Sequence, residues 1–213
     1  MNNIEKHNKK LFECTIQNMH SLDFTDDFFV HLAKKSGVDE SKILMLFSGG
    51  IKQFVLALEE YCDQKAVVRL LSYIKENTDH RVRDKVKKGV LLRLFLGDKK
   101  HQKLFSKLQD FYKIPKNYDL FLNSTWSTAN SIWNTMGDKS TDFNYYTKRT
   151  ILGAVYKSTL CYYIRDSSQD NRNTIEFLEK SIEKVMNFNK IKQKPNILKK
   201  IKDKIPFVRL INI

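Results

Sequence analysis

The stretch WSTANSIWNTMGDKSTDFNYYTKR, residues 126–149, contains the end of one helix, a turn and the start of a second helix. Trp126 and Trp133 are seven positions apart, so a helix places both on the same face. That face is either a stripe of the core or one wall of a ligand cavity. Gly137-Asp138 is typical of a turn, and Thr141 is expected to cap the second helix with Asp142 beside its positive end.

Two neighbouring tyrosines follow in the first turns of that second helix. Adjacent helix positions point about 100° apart, so we expect one of Tyr145 and Tyr146 to pack inward and the other to face solvent. Tyrosine and arginine together are typical of protein–protein contacts.

The same helical spacing of apolar residues continues outward through most of the 213 residues, and no long strand-like alternation occurs. The 7 glycines and 3 prolines are too few for the many turns of an all-β fold. We therefore predict an all-α protein with about ten helices. The expected helices cover roughly 4–20, 26–36, 39–47, 51–76, 80–96, 99–112, 117–136, 141–165, 170–188 and a last amphipathic segment from Pro195.

The region before residue 50 has the shape of a helix-turn-helix. Thr25 is expected to cap the first of its helices, with Asp26 and Asp27 beside the positive helix end. Ala33 is small where two helices would cross, and Gly37 follows at the turn. The second helix, however, begins with Asp39-Glu40, which the phosphates of DNA would repel. We interpret this segment as a packing unit that has lost DNA binding, so nucleic acid is an improbable partner. The basic residues Lys34, Lys35 and Lys42 leave operator binding open as the alternative.

The net charge of +14 is concentrated in two places. Residues 61–110 carry 13 basic and 6 acidic side chains, and residues 190–213 carry 8 and 1. Such clustering predicts an anionic partner. The sequence suggests three parts: the helix-turn-helix-like segment 1–50, a helical body 51–190 and a basic amphipathic tail 191–213.

The tail predicts a membrane contact, because its apolar residues lie near one side of a helix and its lysines occupy the rest. A helix docked on its own protein, with the lysines in water, is the alternative. The expected membrane-binding residues are Ile197, Leu198, Lys199, Lys200, Ile201, Lys202, Lys204, Ile205, Phe207 and Arg209.

Motifs for catalysis and for metal or cofactor binding are absent from the sequence. Asp98 and His101 form a single carboxylate–histidine pair, which is weak evidence for a site. Cys14, Cys62 and Cys161 have no CxxC spacing. We therefore predict that the chain is not an enzyme and binds neither a metal ion nor a cofactor.

The segments WSTANSIWNTMGDKSTDFNYYTKRTILGAVYKSTL and DSSQDNRNTIEFLEKSIEKVM, with the shorter LFSGG and VRDKV, resemble a known family. It is the ninth Coq protein family, the accessory proteins of ubiquinone (coenzyme Q) biosynthesis, and the resemblance covers most of residues 20–188. The resemblance implies a tetracycline-repressor-like helical fold, a homodimer, an apolar cavity for an isoprenoid or quinone lipid, and a non-catalytic role. It also implies that the protein presents polyprenyl-quinone intermediates at an anionic membrane surface to the di-iron demethoxyubiquinone hydroxylase.

The resemblance also implies which residues meet these partners. The expected contacts with the hydroxylase are Asp142, Asn144, Tyr145, Tyr146 and Arg149. The expected lipid-binding residues are Trp126, Trp133, Phe143, Leu152, Tyr156 and Leu160. The first residues, MNNIEKHNKK, have no signal or transit character, which favours a bacterial cytoplasmic protein at the inner membrane over a mitochondrial one, unless a transit peptide was removed. A transcription regulator with a lipid effector and a plain interaction protein with a filled core are the rival interpretations.

Overall fold

The computed structural model describes residues 3–96 and 99–192, and for residues 3, 99–100 and 188–192 it describes the backbone alone. The described part of the chain is all-α, as the sequence predicts, and contains nine α-helices and two short 3-10 turns. The helices are α1 Asn3–Asn18, α2 Phe28–Ser36, α3 Glu40–Leu46, α4 Gly50–Glu76, α5 Val82–Leu94, α6 Lys99–Tyr112, α7 Tyr118–Thr135, α8 Asp142–Tyr163 and α9 Arg172–Lys192. The tetracycline-repressor-like arrangement and the homodimer stay predictions.

Short-range interactions define the end of α2, which Gly37 was expected to provide, and the start of α3. Gly37 ends α2 with a φ of 64°, in the left-handed region that glycine enters without cost. Asp39 caps α3 by accepting a hydrogen bond of 2.8 Å from the Ser41 amide.

Two expected caps are wrong. Asp27, not Thr25, precedes α2, and the carbonyl of Thr25 instead accepts from the Phe28 amide at 2.9 Å. Thr141 precedes α8 without a side-chain capping bond, and the left-handed φ of 53° at Asp142 turns the chain into the helix. The last helix also runs to Lys192, beyond its expected end near residue 188.

An aromatic core joins the first three helices to α4. Phe54 of α4 packs edge-on against Phe12, Phe28 and Phe47, with ring centroids 4.9–5.4 Å apart. Edge-to-face rings at this separation are attractive beyond their buried area. The helix-turn-helix-like segment is therefore packed against the body of the protein.

Charged side chains occupy the middle of the helical body. Arg93 of α5 is fully buried and donates to Glu59 and, at 2.6 Å, to Asp63, both on α4. Burial would raise the pKa of Glu59, but the charges of Arg93 and Lys157 and the hydroxyl of Tyr112 outweigh it, so the pKa is lowered. A buried charge is tolerated only when it is paired in this way. We call Glu59, Asp63, Arg93 and Lys157 the central ion cluster.

No single helix of the described residues combines the length and the apolar composition that crossing a membrane requires. One bent pair, α3 with α4, meets both criteria across an angle of 74°. That is weak evidence for a span, since buried core helices meet the same criteria, and α4 carries Glu59 and Asp63 of the central ion cluster.

Candidate functional site

Aromatic side chains cluster at the first turns of α8. The ring of Trp126 on α7 lies 6.1 Å from Tyr145 and 5.9 Å from Tyr146, measured between centroids. Tyr145 is half-buried and donates a hydrogen bond of 3.3 Å to Asn130 Oδ1, whereas Tyr146 is 62% exposed. One tyrosine thus packs inward and its neighbour faces solvent, as adjacent helix positions require. Phe143 is 80% exposed in the same turn.

We call this surface the α8 patch. It consists of the exposed residues Asp142, Phe143, Asn144 and Tyr146, with Tyr145 and Trp126 behind them. An aromatic pair in water beside an acid and an amide is typical of an interface that is covered by a partner.

Arg149 lies beneath the α8 patch rather than in its surface. Its side chain is 1% exposed, and its guanidinium stacks on the Tyr145 ring at 3.5 Å from the centroid. Nε donates to Asn130 Oδ1 at 2.7 Å, and Nη2 donates to Asn134 Oδ1 at 2.9 Å. The expectation that Arg149 itself contacts the hydroxylase therefore needs correction, because a guanidinium with all these bonds has no surface to present. Arg149 positions Tyr145.

Asp138 forms ion pairs with both Arg149 and Lys148. Its carboxylate accepts from Arg149 Nη1 at 3.2 Å and from Lys148 Nζ at 2.8 Å. Burial opposes ionisation, but the bonds from Lys148, Ser140 and Arg149 prevail and hold the pKa of Asp138 at about 2. The sequence pattern that could have indicated part of this support is the four-residue spacing of Asn130 and Asn134, which places both amides on one face of α7. Asp138 lies beyond the end of α7, so helical spacing does not place it. Sequence analysis missed this support.

An apolar groove opens beside this support, between α5, α8 and α9. Its volume is about 320 Å³. Trp133 of α7 forms one wall, and its indole Nε1 donates to the Lys148 carbonyl at 3.2 Å. Lys148 also lines the groove, so one residue connects the groove with Asp138 and the α8 patch. The main apolar lining residues are Val86, Ile151, Leu152, Val155, Ile182 and Val185.

The structure divides the six expected lipid-binding residues among three places. Trp133 and Leu152 line the groove. Trp126 and Phe143 belong to the α8 patch. Tyr156 and Leu160 are 1% and 2% exposed and lie in the core, where the Tyr156 ring packs 5.9 Å from the Arg93 guanidinium.

Two walls of the groove were missed because they come from helices distant in the sequence. The pattern that could have indicated these walls is the helical spacing of apolar residues, which are Val82 and Val86 on α5, and Ile182, Val185 and Met186 on α9. Val86 lies four positions after Val82, and Val185 and Met186 lie three and four positions after Ile182, so each helix has an apolar face, although spacing does not show that the two faces meet.

A second, larger groove of about 600 Å³ lies between α4 and α7. Glu59 and Asp63 of the central ion cluster lie along it, with the hydroxyls of Ser124 and Ser127. Polar groups of this groove bond to each other within the protein; Ser127, for example, donates to Asp63 at 3.1 Å. Carboxylates and hydroxyls make this groove the poorer match for a hydrocarbon chain.

The helix-turn-helix-like segment has an apolar outer surface. Leu44 is 47% and Met45 is 78% exposed on α3, the helix that would enter DNA. Polar and basic groups are expected at that position in a DNA-binding protein. Operator binding stays an untested alternative.

Some expected sites lie outside the described residues. They include every expected membrane-binding residue of the tail, and Asp98 of the pair with His101. Within the described ranges, no group of three or more histidine, cysteine or acidic side chains is placed to hold a metal ion.

Comparison with known proteins finds relatives of one kind. Residues 118–189, from the start of α7 into α9, match the COQ9 family model. Ubiquinone biosynthesis protein COQ9, mitochondrial, from Bos taurus is 35% identical over 126 residues, which is 59% of this chain and 38% of the relative. The Homo sapiens protein of the same name is 31% identical over 156 residues, 73% of this chain and 46% of the relative.

A more distant relative is aligned over more of the chain. A probable ubiquinone biosynthesis protein coq9, mitochondrial, from Dictyostelium discoideum is 24% identical over 194 residues, 86% of this chain and 61% of the relative. This chain spans less than half the length of the cattle and human proteins. The resemblance that the sequence suggests is confirmed by these matches.

Proposed function

This chain belongs to the COQ9 family, and we propose that it acts in ubiquinone biosynthesis as a lipid-binding accessory protein without catalytic chemistry of its own. The observation that carries the proposal is the apolar groove between α5, α8 and α9, which lies directly beside the α8 patch. The names of the relatives supply the pathway.

The lining of the groove suits a polyprenyl-quinone intermediate. Branched aliphatic side chains and one indole supply apolar contacts along its length, which is what an isoprenoid chain needs. A groove of about 320 Å³ holds part of such a chain and leaves the rest to another apolar surface. That surface is the membrane, or the partner that receives the lipid.

The α8 patch is the proposed docking surface for the di-iron demethoxyubiquinone hydroxylase. Phe143 and Tyr146 are its exposed anchors, and Asp142 and Asn144 supply polar contacts at the rim. Because Lys148 lines the groove and shares Asp138 with Arg149, a partner seated on the patch lies next to the groove. Lipid is then handed over across a short distance.

The basic tail is the proposed membrane contact. Its lysines are attracted to anionic lipid and its isoleucines enter the interface. The relatives are named as mitochondrial proteins. We place this chain on the surface of a membrane that contains quinone lipids, and the bacterial inner membrane remains the prediction made from the sequence.

Lipid extraction tests the proposal. The full chain, purified from a host that makes polyprenyl quinones, should release an isoprenoid lipid that mass spectrometry identifies. Ile182→Trp fills the groove with a larger ring and should abolish the signal, whereas Ile4→Trp adds the same ring on the exposed surface of α1 and should not. An isoprenoid signal that is absent from the wild type, or equal in wild type and Ile182→Trp, would overturn the proposal.

A further inference from the structure

The second half of α4 and the start of α5 present cations that have no acidic partner. Residues 64–88 contain 8 basic and 3 acidic side chains. Arg83 pairs with Asp84 at 3.5 Å, and Lys87 pairs with Glu179 of α9. The other cations of this stretch form no ion pair with any side chain that the structure describes; they are Lys65, Arg69, Lys75, Arg81, Lys85 and Lys88.

Two of these cations lie along the seam between α4 and α5. Lys88 Nζ lies 5.2 Å from the centroid of the Tyr73 ring, and Lys85 Nζ donates to the Thr78 carbonyl at 2.9 Å. Neither contact neutralises the positive charge, because a ring and a carbonyl oxygen carry no net charge. The two lysines therefore add to the positive potential of this side of the protein.

Acids in and around this stretch do not cancel the charge. The cations that line the apolar groove are paired, Arg83 with Asp84 and Lys148 with Asp138, so they leave the balance unchanged. The exposed acids of the stretch and its borders that form no ion pair within the described ranges are Glu60, Glu76, Asp79 and Glu183. Six cations against four acids leave a positive surface.

Exposed aliphatic side chains lie among these cations. Val68 is 65% and Leu71 is 42% exposed, and Lys75 follows Leu71 by four positions on the same face of α4. Val82 is 60% exposed and directly follows Arg81 at the start of α5. We call this side of the protein the α4–α5 surface; it consists of Lys65, Val68, Arg69, Leu71, Lys75, Arg81, Val82, Lys85 and Lys88.

This combination of side chains is complementary to an anionic bilayer. Lysine and arginine are attracted to anionic headgroups, and aliphatic side chains enter the boundary between headgroups and acyl chains. The phosphates of a nucleic acid would attract the same cations, but they offer no apolar contact to Val68, Leu71 and Val82. The exposed aliphatic residues therefore favour lipid as the occupant.

The α4–α5 surface meets the apolar groove at the start of α5. Val82 belongs to both, and its neighbour Arg83 lines the groove as well. A bilayer that covers the α4–α5 surface thus lies beside the α5 wall of the groove.

We propose that the α4–α5 surface rests on an anionic bilayer and so turns the apolar groove toward the membrane. A contact through the basic tail alone would leave the body free to rotate about one point. A second contact on the folded body fixes the orientation in which lipid can pass between bilayer and groove. The inference rests on the proposed function for the role of the groove, and it assigns the membrane contact to a surface that the tail does not include.

Removal of two cations from the full chain tests the contact. Lys75 and Arg81 are exposed and have no side-chain hydrogen bond or ion pair among the described residues, so Lys75→Gln/Arg81→Gln should keep the fold. Lys34→Gln/Lys35→Gln is the matched control, because it removes the same charge from α2. That helix packs on Phe54, and about 30 Å of α4 separates Phe54 from Lys75.

Affinity is measured by co-sedimentation with vesicles of phosphatidylcholine and phosphatidylglycerol. A basic residue at an anionic surface contributes about fivefold, so we expect Lys75→Gln/Arg81→Gln to bind at least tenfold more weakly than the wild type. The control should bind like the wild type. Equal affinity of wild type and Lys75→Gln/Arg81→Gln, or an equal loss in the control, would overturn the proposal. A loss of binding to duplex DNA with vesicle binding intact would assign the surface to nucleic acid instead.

A fluorescent label reports whether the surface itself touches lipid. In a Cys14→Ser/Cys161→Ser background, Val68→Cys carries a nitrobenzoxadiazole dye, and Met45→Cys carries it on α3, where Met45 is 78% exposed. Burial raises the pKa of the Cys62 thiol to about 12, so this thiol stays unlabelled. Vesicles should shift the emission to the blue for the dye at 68 and not at 45. No shift at 68, or the same shift at both positions, would contradict the proposal.

The isoprenoid content of the purified protein separates this inference from the proposed function. Vesicle binding and the dye signal do not depend on a lipid in the groove. A wild type without isoprenoid that loses vesicle binding in Lys75→Gln/Arg81→Gln supports the membrane surface and contradicts lipid binding in the groove. A wild type that contains isoprenoid and binds vesicles as well as Lys75→Gln/Arg81→Gln does contradicts the membrane surface alone.

Discussion

At the scale of single residues, Arg149 explains how the α8 patch keeps its shape. Arg149→Ala removes a buried guanidinium, leaves Asn134 Oδ1 without its donor and leaves Asn130 Oδ1 with only the 3.3 Å bond from Tyr145. We expect the free energy of unfolding to fall by about 2–3 kcal/mol, the usual cost of losing a buried hydrogen-bond network. Urea denaturation measures it. Arg172→Ala is the control, since the Arg172 side chain is 81% exposed, and its loss should cost no more than about 0.5 kcal/mol.

The sequence could not have shown that Arg149 is buried. Arg149 was expected to contact the partner because it lies in the segment that resembles the family's partner-binding patch, and exposure does not follow from position in a motif. The amides that enclose it lie 15 and 19 residues earlier, on α7. Only the packing of α7 on α8 brings them together.

Asp138 makes the stability of the same region depend on pH. Its pKa in the folded protein is about 2, below the ordinary 3.8, because Lys148, Ser140 and Arg149 overcome the effect of burial. A lowered pKa contributes stability that is complete above the ordinary value and is lost as the pH falls through the folded value. We therefore expect the free energy of unfolding to decline between about pH 4 and pH 2.

Asp138→Asn isolates this contribution. Thermal melts across the same pH range should show a shallower decline for Asp138→Asn than for the wild type. Asp166, whose pKa of about 2 is held down by Thr174 and Ser168 against burial, produces a decline of the same sign and persists in the variant. A wild-type and an Asp138→Asn curve that run parallel from pH 4 to pH 2 would contradict the assignment.

At the scale of helices, the approach of α8 to α7 depends on Gly153. A Cβ at this position would lie 2.9 Å from Thr125 Cγ2, inside the normal contact distance. We expect Gly153→Ala to destabilise the protein by about 1–3 kcal/mol, because the overlap outweighs the better helix propensity of alanine. Thr125→Ser removes the methyl group and should recover most of the loss in the double variant. Urea unfolding of the two single variants and the double variant measures both effects; a double variant as unstable as Gly153→Ala would refute the explanation.

The helices show what periodicity can predict. The expected bounds of α6 agree with the structure, and those of α7 and α8 differ by one or two residues, since apolar spacing and turn residues define them locally. The predicted caps at Thr25 and Thr141 are wrong because the presence of a hydroxyl side chain near a helix start does not fix the rotamer in which it could reach the free amides. The walls of the groove come from α5, α7, α8 and α9, and spacing within one helix carries no information about which helices meet.

At the scale of the whole molecule, the groove and the α8 patch share one end, and the central ion cluster braces the helices behind them. Arg93 of α5 pairs with α4, and Lys157 of α8 approaches Ser124 of α7 at 3.2 Å. Paired buried charges resist sliding of one helix past another, because any displacement leaves a charge without its partner. The groove and the α8 patch are therefore held in a fixed relation.

This arrangement predicts that partner binding and lipid binding can be separated by mutation. Phe143→Asp puts a charge on the more exposed of the two aromatic anchors of the α8 patch, which is 80% exposed and is not a lining residue of the groove. Loss of an aromatic anchor typically costs about 2 kcal/mol or more, so we expect at least a tenfold weaker affinity for the di-iron hydroxylase. The isoprenoid content and the melting temperature should stay at wild-type values.

Met45→Asp supplies the matched control for that experiment. Met45 is 78% exposed on α3, in the helix-turn-helix-like segment, so it tests the same kind of substitution away from the patch. Affinity is measured by surface plasmon resonance with the immobilised hydroxylase, and lipid content by mass spectrometry of the same samples. If Met45→Asp weakens capture as much as Phe143→Asp does, the hydroxylase docks elsewhere or contacts both ends. If Phe143→Asp removes the lipid together with the partner, the α8 patch and the groove form one continuous lipid site.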